Sequence, residues 1–336
     1  MVGRFSAKGA SGKCSNIGLK ARKTAGHGGL TIISCDNLSE NGDKLRNVVL
    51  DYAAASDGSL RDWIVSNARF PNSMVDRIVP AMTADSHVDV TAHLGHTDPA
   101  AVLCEPFLQW VIEDDFATPP PPLAAGGALL VSDVAPYEAM KLRMLNGAHT
   151  CLALLGGQAG IATIDGCMRD AVFEQAIRHL HMQEVVPTLP PVPGIDLTAY
   201  SAQLLARFAN PRLQHQTAQI ASDTSKKLPQ RILTPLRWHL DQSGTVPPLM
   251  ALVLASWLVW LLGQGDTGDA LPFNDPAADD LRRDLRHATN PVATLLSFRP
   301  VFPQDLADDP RVSDAIGKAF AELRQNGARS ALSAFI

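Results

Sequence analysis

One apolar segment constrains the fold of this chain more than any other feature of its sequence. From Leu249 to Leu262 the chain reads LMALVLASWLVWLL, without a charged residue. A helix of these 14 residues rises about 21 Å, which is too short to cross a hydrocarbon core of about 30 Å. Pro247 and Pro248 prevent the run from extending upstream. The segment therefore predicts a helix buried in a protein core, enclosed by a sizeable helical domain.

The composition supports a large packed core and gives no reason to expect a polyanionic partner. Of the 336 residues, 46% are hydrophobic and 19% are charged, and the net charge is −5. Because no block of lysine and arginine is present, we expect neither nucleic acid nor a membrane as partner. Five cysteines without a CxxC pair argue against a disulfide framework or a zinc knuckle. We expect a monomer in the reducing cytoplasm.

The first 133 residues and the rest of the chain differ in their hydrophobic pattern. The run GLTIISCDN predicts a strand that ends at Cys35 and Asp36, followed by a helix from about Ser39 to Ala68. MVDRIVPAM and GGALLVSDV predict two more strands, and the four prolines from Pro119 predict an irregular loop. After Asp133, long helical periods dominate to the end of the chain. We therefore predict an α/β portion followed by a mainly α-helical domain.

Four polar residues lie close together in the helical pattern that follows Asp133. On a regular α-helix, Lys141, His149 and Asn146 fall at about 0°, 80° and 140°, and Glu138 at about 60°. One face would then carry a base, an imidazole, an amide and a carboxylate. Two interpretations stay open on spacing alone: a functional face, or a solvated face on which Glu138 and Lys141 form an i,i+3 pair.

Histidines suggest a metal site in one other stretch, DSHVDVTAHLGHTD. The spacings of His87, His93 and His96 match neither a helical nor a finger-type set of ligands. We interpret them as surface histidines and predict no metal.

Several stretches together resemble one known family. YEAMKLRMLNGAH resembles the signature of the polyol-specific long-chain dehydrogenases, the mannitol dehydrogenase family: a lysine, four residues, an asparagine, two residues and a histidine. Four further stretches extend the resemblance from about Gly18 to the C-terminal region. They are SCDNLSENG, FPNSMVDRIVP, CEPFLQWVIEDDF and RFANPRLQHQTAQIASDTSKKLPQRIL, the last being most similar to members that act on sugar acids.

The resemblance implies metal-free hydride transfer between a secondary alcohol and NAD. Lys141 would be the general base, since burial can bring a lysine toward neutrality. Glu138 would pass the proton on through water. Asn146 and Asn37 would donate hydrogen bonds to the developing alkoxide, an oxyanion-hole role. His149 would orient the substrate hydroxyls.

The resemblance also suggests residues that bind the substrate, and some of the proposed roles have a purely structural alternative. Asp76 would also bind the substrate, although it could instead pair with Arg77, and Asn37 could simply cap the helix that follows it. A sugar acid carries a carboxylate that requires a cation nearby, and His215, Lys227 and Arg231 are the candidates. Ordinary solvated cations at a helix end are the alternative.

The implied activity is the interconversion of D-fructuronate and D-mannonate, small-molecule substrates. Mannitol 2-dehydrogenase is the alternative enzyme, and a catalytically silent fragment is the alternative from another class. Residues 31–133 would form the C-terminal part of a Rossmann-type dinucleotide domain, and residues 134–336 the helical substrate domain. Residues 1–30 stay unassigned, with no GxGxxG turn. We therefore expect an N-terminally truncated nucleotide domain, whose cofactor-binding residues the sequence does not identify.

Overall fold

The computed structural model describes residues 10–335, and the chain divides into two compact units. The first unit ends at Glu138, and the second begins at Ala139. All the strands of the described residues lie in the first unit, whereas the second is helical. The predicted order, an α/β portion followed by a mainly α-helical one, is confirmed.

Short strands and short helices alternate in the first unit. β1 pairs with β2 in parallel, while β4 is the central strand of a second sheet, antiparallel to β3 and parallel to β5. The elements are α1 (Ala10–Thr24), β1 (Leu30–Thr31), α2 (Asn41–Ser56), α3 (Gly58–Asn67), β2 (Ala68–Arg69), β3 (Ser73–Asp76), α4 (Ala84–Leu94), β4 (Gln109–Glu113), a 3-10 turn (Leu123–Gly126), β5 (Ala128–Val131) and α5 (Ala135–Met140), the last two residues of which belong to the second unit.

The single helix predicted from about Ser39 to Ala68 is wrong, because the chain forms two helices there. Asp57 lies between them with extended backbone angles, φ −161° and ψ 99°. Its carboxylate accepts hydrogen bonds from the backbone N–H groups of Ser59 and Leu60. Aspartate is a strong N-cap residue, so it ends one helix and begins the next although the hydrophobic pattern continues through it.

The predicted strands are shorter than their sequence patterns. MVDRIVPAM forms a strand only as far as Asp76, and Pro80 could not donate to a continuing ladder. GGALLVSDV forms β5, and GLTIISCDN contributes only the two residues of β1. The sequence interpretation missed β4, the central strand, because its alternation is interrupted by the consecutive apolar residues Trp110, Val111 and Ile112.

The predicted surface position of the histidines in DSHVDVTAHLGHTD is confirmed. The stretch forms α4, which the sequence interpretation missed and which has no buried residue. Thr83 caps its N-terminus, and Gly95 ends it with φ 74°. His93 and His96 are exposed and His87 is partly buried. No group of three metal-ligating side chains occurs in the described residues.

Helices interrupted by π-helical turns make up the second unit. Its helices are α6 (Gly147–Cys151), α7 (Ile164–Met168), α8 (Ala171–His179), α9 (Leu197–Phe208), α10 (Thr217–Ala221), α11 (Thr224–Leu228), α12 (Thr234–Ser243), α13 (Pro248–Leu262), α14 (Ala278–Leu285), α15 (Pro291–Leu296), α16 (Gln304–Ala307) and α17 (Pro310–Phe335). The π-helical segments are Lys141–Asn146, Leu152–Gly156, Leu180–Val185 and Pro229–Leu233, and Val186–Thr188 is a 3-10 turn.

The apolar run singled out in the sequence is α13, and its predicted burial is confirmed. All its residues from Leu249 to Leu261 are buried, and it packs against α14, α15 and α17. Trp260 Nε1 donates to the carbonyl of Leu154 at 2.8 Å, and Ser256 Oγ to Gln158 Oε1 at 2.8 Å. Within the described part of the chain, no helix combines the length and the apolarity that a membrane span requires.

Candidate active site

The segment from Lys141 to Asn146 is a π-helical turn and not the regular α-helix assumed from the sequence. The backbone N–H of Gly147 donates to the carbonyl of Leu142, five residues earlier. This wider ring brings residues five positions apart onto one face, whereas a regular α-helix would place Lys141 and Asn146 about 140° apart. The helical-wheel angles predicted for this segment are therefore wrong, and the lysine and the asparagine lie closer in direction than predicted.

Three predicted site residues on this turn and on α6 are buried. Lys141, Asn146 and His149 are each 7% exposed. The solvated-face interpretation is therefore wrong for these three. Among the described residues, Asn146 Nδ2 has no hydrogen-bond partner, although it is buried. A buried polar atom without a partner costs about 1–3 kcal/mol, which makes this amide a candidate for binding a ligand.

His149 lies among aromatic rings and cations. Its ring is 4.6 Å from that of Phe208 and 5.5 Å from that of His215, measured between centroids. Burial lowers the pKa of His149 well below its usual value, and the positive charges of Arg231, Arg207 and Lys141 add to this effect, as does His215. His149 is therefore a neutral imidazole near pH 7, able to donate and to accept one hydrogen bond.

His215 shares this environment and also carries an unsatisfied atom. Burial lowers the pKa of His215 to about 4, with a contribution from Lys227. Its Nδ1 atom is buried and, within residues 10–335, makes no hydrogen bond. His215 and Asn146 thus each offer one buried polar atom that the described residues leave unpaired.

The two predicted carboxylate-binding cations also hold the backbone of the second unit. Arg231 Nη1 donates to the carbonyl of Asn146 at 3.3 Å and to Thr150 Oγ1 at 3.1 Å. Burial lowers the pKa of Arg231 to about 10. Lys227 Nζ donates to the carbonyls of Ile220 and Ser222. Neither residue is therefore an ordinary solvated cation.

The pKa of Lys227 reports a buried and positive environment. Burial, with a smaller contribution from Arg231, lowers it to about 8, while Asp223 and Asp275 act in the opposite direction. Lys227 is therefore a cation that can lose its proton at mildly alkaline pH.

Arg207 is a residue of this cluster that sequence reasoning missed. It lies on α9, is 8% exposed, and contributes to lowering the pKa of His149. The signal was available, because Arg207 precedes the Phe208 that contacts His149 in the stretch RFANP.

Asn37 lies in the first unit, in an exposed bend between β1 and α2. The N-cap role considered for Asn37 is wrong, because Glu40 is the N-cap residue of α2. The side chain of Glu40 makes no capping hydrogen bond. Asn72 performs this function from a distance, since its Oδ1 accepts from the N–H groups of Gly42 at 2.9 Å and Asp43 at 3.2 Å.

The bend that carries Asn37 is held by Asn41, a second residue that sequence reasoning missed. The Nδ2 atom of Asn41 donates to the carbonyls of Ser34, Asp36 and Ser73, at 3.1, 3.0 and 2.8 Å. Its Oδ1 accepts from the N–H of Ser73 at 2.9 Å. One buried amide thus ties the SCDN bend to strand β3.

Asp76 and Glu138 also belong to the first unit. Asp76 is the last residue of β3 and is 2% exposed. Its neighbour Arg77 donates to the carbonyl oxygens of Phe107 and Pro106. The carboxylate of Glu138 accepts from the N–H of Glu40, and burial raises the pKa of Glu138 to about 7.

The described residues of the first unit do not supply the glycine turn that would hold a dinucleotide pyrophosphate. Neither β1 nor the other strands described here lead into a helix through a GxGxxG stretch. The N-terminus of α2, the helix after β1, is already occupied by the Asn72 side chain. Gly42 there serves close packing, since a Cβ atom would come within 2.4 Å of the Phe70 carbonyl oxygen. These residues therefore do not fit the phosphate part of NAD.

Each of the two units matches the model of a known protein family. Residues 13–125 match the family model of the mannitol dehydrogenase Rossmann domain, and residues 133–324 match that of the mannitol dehydrogenase C-terminal domain. The Rossmann-type character predicted for the first unit is thereby confirmed.

Individual relatives agree with the family models. The chain is 45% identical to the uncharacterized oxidoreductase YeiQ of Escherichia coli strain K12, over 94% of this chain and 64% of that protein. It is 41% identical to the D-mannonate oxidoreductase of the same strain, over 94% of this chain and 65% of that protein. The chain thus spans slightly under two thirds of the length of these relatives.

A solved structure gives the same assignment. The mannitol 2-dehydrogenase of Pseudomonas fluorescens, in ternary complex with NAD and D-mannitol, superimposes with a TM-score of 0.84 at 32% identity. The match covers 99% of this chain and 70% of that one. The chain belongs to the mannitol dehydrogenase family.

Proposed function

We propose that this chain acts in an NAD-dependent oxidoreductase that interconverts D-fructuronate and D-mannonate. The observation that carries this proposal is the charge around His149. Besides burial, the groups that lower the pKa of His149 are His215 and the three basic residues Arg231, Arg207 and Lys141. A buried site with this charge favours a substrate that carries a carboxylate over a neutral polyol. The 41% identity to a D-mannonate oxidoreductase supports the same substrate class.

Lys141 is the general base that we propose for the oxidation of D-mannonate. Its neutral amine would take the proton of the reacting hydroxyl, while NAD would supply the acceptor for the hydride that leaves the same carbon. In the reverse direction the ammonium returns the proton to the oxygen. The unpaired Nδ2 of Asn146 would donate to that oxygen as its negative charge develops, which is where a preorganised donor is most effective.

The two histidines would bind the remaining hydroxyls of the substrate. His149 is neutral near pH 7, and the buried Nδ1 of His215 has no partner among the described residues. Burial, together with the charge of Lys227, lowers the pKa of His215 to about 4, so this ring is also neutral. Because both imidazoles are neutral, the nearby cations do not repel them, and each can accept a hydrogen bond from a sugar hydroxyl.

Arg231 and Lys227 would bind the carboxylate. Among the described residues, Arg231 uses only Nη1 for hydrogen bonds, which leaves Nε and Nη2 as donors for a bidentate contact. The roles that the resemblance gives to Asn37, Asp76 and Glu138 stay predictions, because these residues belong to the other unit. The pKa of Glu138, about 7, supports a proton-relay role, because such a carboxyl group exchanges its proton near neutral pH.

NAD stays the proposed cofactor on the strength of the relatives, since the solved mannitol 2-dehydrogenase structure is a complex with NAD. The described residues of the first unit do not form its phosphate site, so the chemistry proposed here concerns the substrate alone. We expect the purified chain to bind NADH far more weakly than typical dehydrogenases do. Fluorescence titration tests this, and micromolar binding with turnover would contradict it.

Mannitol 2-dehydrogenase is the second candidate, because the solved relative of this name superimposes along almost the whole chain. Calorimetric titration of the purified chain with D-mannonate and with D-mannitol separates the two functions without requiring turnover. We expect D-mannonate to bind more tightly, and Arg231→Gln to weaken D-mannonate more than D-mannitol. Lys226→Gln is the matched control, since Lys226 is exposed and pairs with Asp223. Equal losses for both ligands would favour the polyol.

A further inference from the structure

A buried histidine outside the predicted site contacts the π-helical turn that carries Lys141 and Asn146. His181 is 0% exposed and lies in another π-helical segment, Leu180–Val185. Its Nε2 atom is 3.0 Å from the carbonyl oxygen of Met144, and its Nδ1 is 2.9 Å from Ser201 Oγ. Met144 lies inside the turn, three residues after Lys141 and two before Asn146.

The direction of these hydrogen bonds follows from the chemistry of the partners. A carbonyl oxygen only accepts, so His181 Nε2 must carry the proton and donate to Met144. Burial lowers the pKa of His181 to about 4, so the ring is neutral and its Nδ1 has no proton. Nδ1 must therefore accept from the hydroxyl of Ser201. The hydroxyl of Ser201 therefore stabilises the tautomer of His181 that carries its proton on Nε2, and this tautomer can donate to the carbonyl of Met144.

The carbonyl of Met144 lies where the regular helical ladder is disturbed. The N–H of Gly147 donates both to Leu142, which closes the wide turn, and to Met144. A π-turn is rare and has a poorer hydrogen-bond pattern than an α-helix, so it persists where surrounding contacts hold it. At its C-terminal end, Arg231 and Thr150 hold the carbonyl of Asn146. In its interior, His181 holds the carbonyl of Met144.

We infer that His181 is a positioning residue that, with Ser201, fixes the π-turn and thereby the relative direction of Lys141 and Asn146. It reaches no substrate itself and acts through the backbone of Met144. The inference rests on the proposed function only for its catalytic consequence. The structural part, that the turn depends on this contact, stands on the geometry of the second unit alone.

Three variants of His181 separate the contact from the bulk of the ring. His181→Gln can place an amide nitrogen near the position of Nε2 and keep the donor to Met144. His181→Asn places its amide near Nδ1 and loses the donor to Met144, and His181→Phe keeps the ring volume without any donor. Ser201→Ala removes the group that fixes the tautomer.

Hydrogen–deuterium exchange of the whole purified chain measures the effect on the turn directly. We expect faster exchange in the peptide that covers residues 141–150 for His181→Phe and His181→Asn, and nearly wild-type exchange for His181→Gln. The peptide that covers α13 should exchange as in the wild type. Unchanged exchange at 141–150 in His181→Phe overturns the inference, and so does equally increased exchange in α13, which would indicate a general loss of packing.

Steady-state kinetics then test the catalytic consequence. We expect His181→Phe to lower kcat for D-mannonate by up to about 10²-fold with little change in KM, because a small displacement of the base misaligns the reacting atoms. His181→Gln should recover most of kcat. A kcat that stays at the wild-type value overturns the positioning role. A wild-type chain that binds neither D-mannonate nor D-mannitol in the calorimetric titration would refute the proposed function, and the exchange comparison would still decide whether His181 holds the turn.

Discussion

The two units differ in how many of their large apolar side chains are exposed. Among the described residues, 14 large hydrophobic side chains are exposed, and 13 of them belong to the first unit, with only Leu262 in the second. α4 in the first unit buries no residue, whereas α13 in the second buries 13 in succession. The close packing of the second unit supplies stability that offsets the cost of its π-turns and of its unpaired polar atoms.

The largest expected effect tests whether the buried polar groups of the second unit serve catalysis. Lys141→Met should lower kcat for D-mannonate by about 10²–10⁴-fold, which is the usual contribution of a proton-transfer group. The thermal unfolding of the chain should change little. Lys226→Met, at an exposed lysine, is the control and should retain kcat. A Lys141→Met variant with nearly wild-type kcat would mean that this buried lysine has a structural role.

The contrast between the cores predicts unequal costs for one substitution. Leu252→Ala, at 0% exposure in α13, should lower the free energy of unfolding by about 2–5 kcal/mol through lost burial and a cavity. Leu94→Ala, at 48% exposure in α4, should change it by less than about 0.5 kcal/mol. Chemical denaturation measures both. Similar losses in the two variants would show that α4 is packed in solution, and the comparison would fail.

A polar anchor should matter more than any apolar side chain exposed on the first unit. Asn41→Ala removes four hydrogen bonds and leaves the carbonyls of Ser34, Asp36 and Ser73 without this donor. We expect a loss of about 1–3 kcal/mol in the free energy of unfolding, together with faster hydrogen exchange at residues 34–37. Asn47→Ala, an exposed asparagine on the same helix, is the matched control. Equal behaviour of the two variants would contradict the anchoring role.

The smallest effect concerns the pH dependence of the second unit. The carboxylate of Glu184 accepts from the N–H groups of Leu249 and Met250 at the start of α13, and burial raises its pKa to about 7. Between about pH 4.5 and 7 the unfolded chain has lost this proton while the folded chain retains it. The contribution of Glu184 to stability is therefore present at low pH and is lost as the pH rises to 7.

In Glu184→Gln, the free energy of unfolding should no longer fall by the contribution of this group, about 1–3 kcal/mol, as the pH rises from 4.5 to 7. Urea unfolding at pH 5 and at pH 7.5 measures it. Glu174→Gln, at an exposed glutamate paired with Arg178, is the control and should keep the wild-type slope. A Glu184→Gln variant with an unchanged slope would locate the titrating group elsewhere.

The features that the sequence predicted correctly depend on composition or on short motifs. α13 could be predicted because a 14-residue apolar run has few alternatives, and the burial expected of Lys141 followed from the role that the resemblance gives it. Asp57 was missed because its capping effect is local, whereas the hydrophobic pattern continues through it. Asn41 was missed because its partner Ser73 is 32 positions away.

The π-turn could not be predicted from periodicity, because a helical wheel assumes one residue spacing throughout. His181 was missed for a related reason, since its importance lies in a contact with a backbone carbonyl 37 positions earlier. Side-chain types and spacings do not record which carbonyls a distorted helix leaves available. Such positions become visible only when the hydrogen bonds of the turn are traced one by one.

The wide turn also changes how a lysine–asparagine pair should be sought in other sequences. On a regular α-helix, two residues four apart differ by about 40° in direction, and the five-residue ring of a π-turn gives a comparable alignment to residues five apart. A chain with one residue fewer between its lysine and its asparagine can present the same pair on an undistorted helix. A deletion of one residue between the lysine and the asparagine therefore keeps the pair aligned, and a search with fixed spacing would overlook such a chain.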